Sequence, residues 1–295
     1  MAQSNTLGEC SSNTIHRTLC FYSPPENYVI PEYIAETTTK PGKRNYAHHT
    51  VLVPITDIRG QEKNFTLGEH SFAALTGVKA PDIEFSSSEQ VTELYLPWIQ
   101  NFILKEVPKA TSVTVFDFAV RRASIAKTPT RQVHKIHIDQ SPKGAYLRAR
   151  HHLPQADFEA IEQGHSHFKI INVWKPINHP VVDNPLTFAE YKSLQPEDLV
   201  PVRQIYPDYV GETYVLKHNN GQKFRYWSDM TPNEALLLQC FDSQGSRKGP
   251  EDLLLDYVQC AHGSFRLKED GDETYTRESI EVRCLVLVDE KDGSR

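Results

Sequence analysis

A chain of 295 residues with 39% hydrophobic and 24% charged residues is long enough to bury a sizeable core and has an ordinary globular composition. Its formal net charge of −6 excludes the surplus of clustered Lys and Arg that phosphate neutralisation demands, so neither nucleic acid nor an anionic membrane is an expected partner. No apolar run approaches the ~18 residues of a membrane span, and the opening stretch to Cys20 lacks a basic segment followed by an apolar one, so a soluble, untargeted chain is expected.

The five cysteines (Cys10, Cys20, Cys240, Cys260 and Cys284) are odd in number, widely spaced and contain no C-x-x-C pair, which points to a reducing compartment rather than a disulfide framework or a zinc knuckle. In chain order, residues 1–48 are rich in Ser, Thr, Asn and Pro and are read as an irregular arm draped over the core. Residues 49–295 are read as a single domain.

The first helix is signalled by Ser86, Ser87 and Ser88 as caps, by Glu89 and Glu93 in the first turns, and by Val91, Leu94, Tyr95, Trp98 and Phe102 at helical spacing. Pro97 should kink or divide it. A shorter helix fits Gln155 to Gln163, between Pro154 and Gly164, burying Phe158 and Ile161. Elsewhere, short β-type runs dominate: Ser112 to Val120, Val133 to Asp139, Phe168 to Trp174, Glu212 to His218, Phe224 to Trp227, Ala235 to Phe241 and Ile280 to Val288. Many short strands without regular helix alternation predict a mainly β, α+β chain: a double-stranded β-helix (jelly roll) with flanking helices.

In Lys135-Ile136-His137-Ile138-Asp139, strand alternation turns His137 and Asp139 to one face and the two isoleucines to the other. Two ligands beside one another fit a metal, but they equally fit a satisfied ion pair. His262 lies 123 residues beyond Asp139, far enough for intervening strands to wrap around before a third ligand is supplied. Two imidazoles and one carboxylate on one side of a ferrous ion leave open positions for cosubstrate and dioxygen. Fifteen residues beyond His262, Arg277 and Ser279 share a strand face, where a guanidinium fork and a hydroxyl fit the far carboxylate of 2-oxoglutarate. The competing reading of that segment is a charged edge strand with Glu281 and Arg283 paired on its solvent face.

Taken in order, Asp57-Ile58-Arg59-Gly60, Phe65-Thr66-Leu67, His137-Ile138-Asp139-Gln140-Ser141, Ile171-Asn172-Val173-Trp174-Lys175-Pro176-Ile177, Pro185-Leu186, Gly211-Glu212-Thr213-Tyr214, Met230-Thr231-Pro232-Asn233-Glu234, Phe241-Asp242-Ser243, Ala261-His262 and Arg277 to Arg283 resemble one family. It is the fungal hydroxylase/desaturase family of the AsaB type, with its gibberellin desaturase-like and CmcJ-related members. The resemblance implies a jelly-roll oxygenase of secondary metabolism that uses Fe(II), 2-oxoglutarate and O2 to hydroxylate, desaturate or rearrange a small molecule. It implies His137, Asp139 and His262 as ligands and Arg277 as the cosubstrate anchor, with no separate acid or base. Two departures stand out: Lys175 where Arg is usual after Asn-Val-Trp, and Ala261 where Pro is usual before the distal histidine.

Asn172 shares a strand face with Trp174 and is read as a second cosubstrate donor; Trp174, Lys175 and Tyr226 are read as substrate-pocket residues. Two other functions fit the same residues. One is a cupin-like dioxygenase or isomerase that uses the triad without 2-oxoglutarate; the other is a non-catalytic jelly-roll binding module.

Overall fold

The computed structural model describes residues 13–27, 29–35, 41–122, 134–245, 259–267 and 277–289. Strands in chain order are β1 (Thr14–Ser23), β2 (Glu32–Ile34), β3 (Lys43–Arg44), β4 (Ala47–Asp57), β5 (Phe72–Thr76), β6 (Ala110–Arg122), β7 (His137–Ile138) and β8 (Ser166–Pro176). They continue with β9 (Leu186–Ala189), β10 (Leu199–Ile205), β11 (Val210–Leu216), β12 (Phe224–Tyr226), β13 (Glu234–Asp242), β14 (His262–Ser264) and β15 (Glu278–Asp289). The α-helices are α1 (Leu67–His70), α2 (Ser88–Gln90), α3 (Leu96–Glu106), α4 (Pro142–His152) and α5 (Gln155–Glu162).

Ten strands form a large sheet, ordered β1-β4-β12-β9-β14-β7-β11-β10-β2-β3, and five form a small one, ordered β5-β13-β8-β15-β6. This is the jelly-roll architecture expected. Alternation sorts the small sheet. Ile170 and Trp174 of β8, Leu236 and Leu238 of β13, and Leu285 and Leu287 of β15 join Leu186 and Phe188 of β9 in the core between the sheets. Ile171, Val173, Leu237, Ile280 and Val282 point the other way and pack against Tyr95, Ile99 and Ile103. Those three helical side chains are completely buried, worth about 1.5–3 kcal/mol each.

Pro97 has the effect its chemistry predicts. Its missing N–H and its ring spoil the preceding turn, and the chain between α2 and α3 widens into a π-turn over Val91–Tyr95, with the Leu96 N–H donating to the Val91 carbonyl. Ser87 caps α2 by accepting from the Gln90 N–H.

Three expectations change. Within the segment read as an irregular arm, residues 14–23 are regular, because β1 pairs with β4 along its whole length, from Thr14 opposite Thr56 to Ser23 opposite Ala47. Alternating Ile15, Leu19 and Phe21 carried that signal beneath a polar composition. The run before Asp139 is only the two-residue β7, with Val133 outside the described residues. Helix α4 was unforeseen. Ser141 caps it and Pro142 opens it. A Cβ on Gly144 would lie 2.1 Å from the Glu212 carbonyl oxygen, so glycine alone lets α4 rest directly on β11. Among the described residues no helix is long and apolar enough to cross a membrane.

Candidate metal and cosubstrate site

Backbone register joins the distant histidines. β7 and β14 are neighbours, with His137 directly opposite His262, and their ring centroids lie 4.6 Å apart. Gly263 permits that approach, since a Cβ there would sit 2.9 Å from the Lys135 carbonyl oxygen. Asp139 follows β7 on the same face, and Ile136 and Ile138 point into the large-sheet core, as alternation predicts.

One ligand atom from each of His137, Asp139 and His262 can be chosen so that all lie within 4.8 Å of one another. The orientation of each ring is held from behind. His137 Nδ1 donates to the Lys135 carbonyl at 3.0 Å and His262 Nδ1 to the Cys260 carbonyl at 3.1 Å. A carbonyl only accepts, so in each neutral ring the proton is on Nδ1 and the Nε2 lone pair is available to a metal. Burial pushes the His137 imidazole below its ordinary range, favouring that neutral form.

Asp139 is buried, which alone would raise its carboxyl. The Arg283 guanidinium, aided by His137 and His262, outweighs burial and holds it well below the usual carboxylate range. Arg283 Nε donates to Asp139 Oδ2 at 2.9 Å, while its other nitrogens meet Glu281 at 2.6 Å and Asp117 at 2.7 Å. Asn172 Nδ2 donates to Asp139 Oδ2 at 2.6 Å and to Glu281 at 3.2 Å. The outer oxygen of Asp139 is thereby occupied, and Oδ1 stays beside His137 Nε2 at 3.2 Å. The charged-edge reading of β15 fails: Glu281 and Arg283 pair inside the protein, on a strand flanked by β8 and β6. Sequence reasoning missed Arg283 as a site residue, although the polar alternation Arg277, Ser279, Glu281, Arg283 marks one inward face.

Beside the two histidines, a small cavity is lined by Trp174, Leu186, Ser264, Arg277, Glu281 and Arg283 among others. Arg277 is only 3% exposed, stacks 5.7 Å from the Trp174 ring and donates Nη1 to the Asn184 carbonyl at 2.7 Å. Its Nε and the Ser279 hydroxyl are buried without a hydrogen-bond partner. Burial lowers the guanidinium to about 10, so it remains cationic at neutral pH. A guanidinium Nε and a hydroxyl that are buried and have no acceptor among the described residues suit an anionic group such as the remote carboxylate of 2-oxoglutarate.

Three predicted residues fall elsewhere. Asn172 spends its donors on Asp139 and Glu281, so its amide nitrogen is not turned toward the Arg277 side chain as expected. Lys175 faces away from the site, its Nζ donating to the carbonyls of Val78 at 3.0 Å, Glu234 at 3.3 Å and Pro232. The exchange of Arg for Lys at this position therefore bears on loop anchoring, not on a substrate acid. Tyr226 lies in the large-sheet core, edge-on to Phe265 at 5.6 Å, and is not among the described residues that line the cavity beside the two histidines.

A family pattern described as an oxidoreductase/YMDC permease-like domain matches residues 19–287. The hydroxylase/desaturase poxK of Penicillium oxalicum is 27% identical over 83% of this chain and 82% of its own length. The hydroxylase/desaturase efuI of Hormonema carpetanum is 28% identical over 95% of this chain and 97% of its own length. Among solved structures, the iron and alpha-ketoglutarate-dependent endoperoxidase NvfI superposes with a TM-score of 0.78 at 21% identity, covering 94% of this chain and 98% of that one.

Proposed function

The chain belongs to the oxidoreductase/YMDC permease-like domain family, and from that premise we propose that it is an Fe(II)/2-oxoglutarate-dependent oxygenase that hydroxylates, desaturates or oxidatively rearranges a small molecule of fungal secondary metabolism. The hydroxylase/desaturase names of its sequence relatives support the reaction class. The observation that carries the reading is the meeting of His137, Asp139 and His262 beside the unpartnered Nε of Arg277. The domain reading is likewise a proposal: residues 49–295 form the catalytic unit, with β1 completing its large sheet.

In this reading His137 Nε2, His262 Nε2 and Asp139 Oδ1 would hold iron. Arg277 and Ser279 take the remote carboxylate of 2-oxoglutarate, and Trp174 supports the guanidinium from below. Arg283 and Asn172 keep the carboxylate of Asp139 ionised and aimed. Bound iron with 2-oxoglutarate and dioxygen supplies the oxidant that removes hydrogen from an unactivated carbon. The chain's own share is to bind, orient and keep bulk water out; no side chain in the site is needed as an acid or base.

Anaerobic titration with Fe(II) and then 2-oxoglutarate should give one metal and one cosubstrate per chain, and adding substrate and O2 should release succinate. Iron retention without succinate would favour a cupin-like dioxygenase or isomerase. Failure to retain iron would leave a binding module.

A further inference from the structure

A second cavity of about 210 Å³ also reaches the proposed ligands: His137, Asp139 and Arg283 line it together with Phe116, Arg148 and Tyr206, and Arg277 is not among its lining residues. A molecule seated there lies next to the metal position without entering the Arg277 cavity. Its wall carries three acids, Asp117, Asp139 and Glu212, and three cations, Lys135, Arg148 and Arg283, and the two sets are unevenly paired. Arg283 is neutralised by Asp139, Glu281 and Asp117. Glu212 is engaged by the Ser141 hydroxyl at 2.7 Å and by Lys143 at 3.9 Å.

Two cations remain. Arg148 lies over the Tyr209 ring at 4.4 Å and the Phe116 ring at 5.2 Å, and its buried Nε has no hydrogen-bond partner. Lys135 Nζ lies 5.8 Å from the Tyr33 ring centre. Neither makes an ion pair with a carboxylate among the described residues. Stacking fixes where a guanidinium points while leaving its edge donors unspent, which is how Arg recognises a carboxylate supplied from outside. The position of Arg148 is itself built in: it lies one turn after Gly144, where α4 touches β11.

We propose that the substrate of this oxygenase is a carboxylate-bearing small molecule whose acid end is held by Arg148 with Lys135, its carbon skeleton lying along Phe116 and Tyr206 toward the metal. The inference rests on the oxygenase reading and deepens it, because it names the chemical class that the second cavity takes.

The test uses the full chain loaded with Mn(II) and saturating 2-oxoglutarate. Phenylacetate, cinnamate and decanoate are each compared with the corresponding methyl ester by titration, and proton relaxation caused by Mn(II) reports whether the ligand lies near the metal. The acids should bind about tenfold or more tightly than their esters and relax strongly. That margin should fall to about twofold in Arg148→Gln and recover in part in Arg148→Lys, while circular dichroism and 2-oxoglutarate binding stay as in the parent. Acids and esters binding alike, no acid binding at millimolar concentration, a margin that survives Arg148→Gln, or displacement of the acid by 2-oxoglutarate would each overturn the proposal. Loss of Mn(II) and 2-oxoglutarate binding in the parent chain would instead sink the oxygenase reading itself.

Discussion

On the large sheet, His137 and His262 meet because β7 and β14 pair with those residues opposite one another, with Gly263 removing the Cβ that would push the strands apart. On the small sheet, the site is made of side-chain charge: Ser279, Glu281 and Arg283 fall on one face of β15, Arg277 immediately precedes it, and β8 adds Asn172 and Trp174 beside them. The first arrangement depends on backbone geometry, so small steric changes should disturb it. The second depends on compensated charge, so it should fail group by group. Metal retention and cosubstrate affinity should therefore be separable.

The largest effect is expected for Asp139→Ala, which removes a ligand and should abolish iron retention, read by metal analysis, with loss of all turnover. The fold should survive, since Arg283 keeps Glu281 and Asp117 as partners. A variant that kept its iron would break the comparison at its root. Next, Gly263→Ala forces a methyl against the Lys135 carbonyl that positions His137, so iron should bind about 10–100-fold more weakly. If Gly263→Ala retained parent affinity, backbone register would not be what holds the ligands.

Arg277→Ala should leave iron bound but raise the 2-oxoglutarate requirement by roughly 10–150-fold, the loss of a charge-assisted pair worth about 1.5–3 kcal/mol. Steady-state kinetics against 2-oxoglutarate separates this from the two changes above. Lys175→Met lies on the opposite face of β8, so it should cost about 1–3 kcal/mol in chemical denaturation by leaving carbonyls without a donor, with the cosubstrate dependence unchanged. A change in that dependence would place Lys175 back in the site.

The smallest effect concerns acid. Burial, with Arg44 beside His48 and Arg148 beside His152, lowers both imidazoles to about 4. Each binds a proton more readily when unfolded, so stability is full above about pH 6.5 and declines as the pH falls toward 4. Thermal melts across that window should show the decline, and replacing both by Gln should flatten it.

The separation of the two sheets also marks where sequence reading reached. Strands β6, β8, β11, β13 and β15 and helix α5 were legible because local periodicity and turn residues mark them directly. The grouping of His137, Asp139 and His262 was legible because ligand chemistry restricts the residue types. Strand β1 was missed because its polar composition hid the alternation of Ile15, Leu19 and Phe21, and α4 because Ser141 and Pro142 signal a helix only weakly beside a ligand motif.

By itself the sequence determined which residues could ligate a metal and which could anchor an acid, since these depend on functional groups and on the two-residue period of a strand. Only the tertiary structure decided which polar groups compensate one another: that Asn172 serves Asp139, that Lys175 serves three carbonyls, and that Arg148 meets aromatic rings and, among the described residues, no acid. The reason is physical. Strand periodicity is local, whereas charge compensation depends on which strands become neighbours, and the pairing of residues 137 and 262 is settled by the whole sheet.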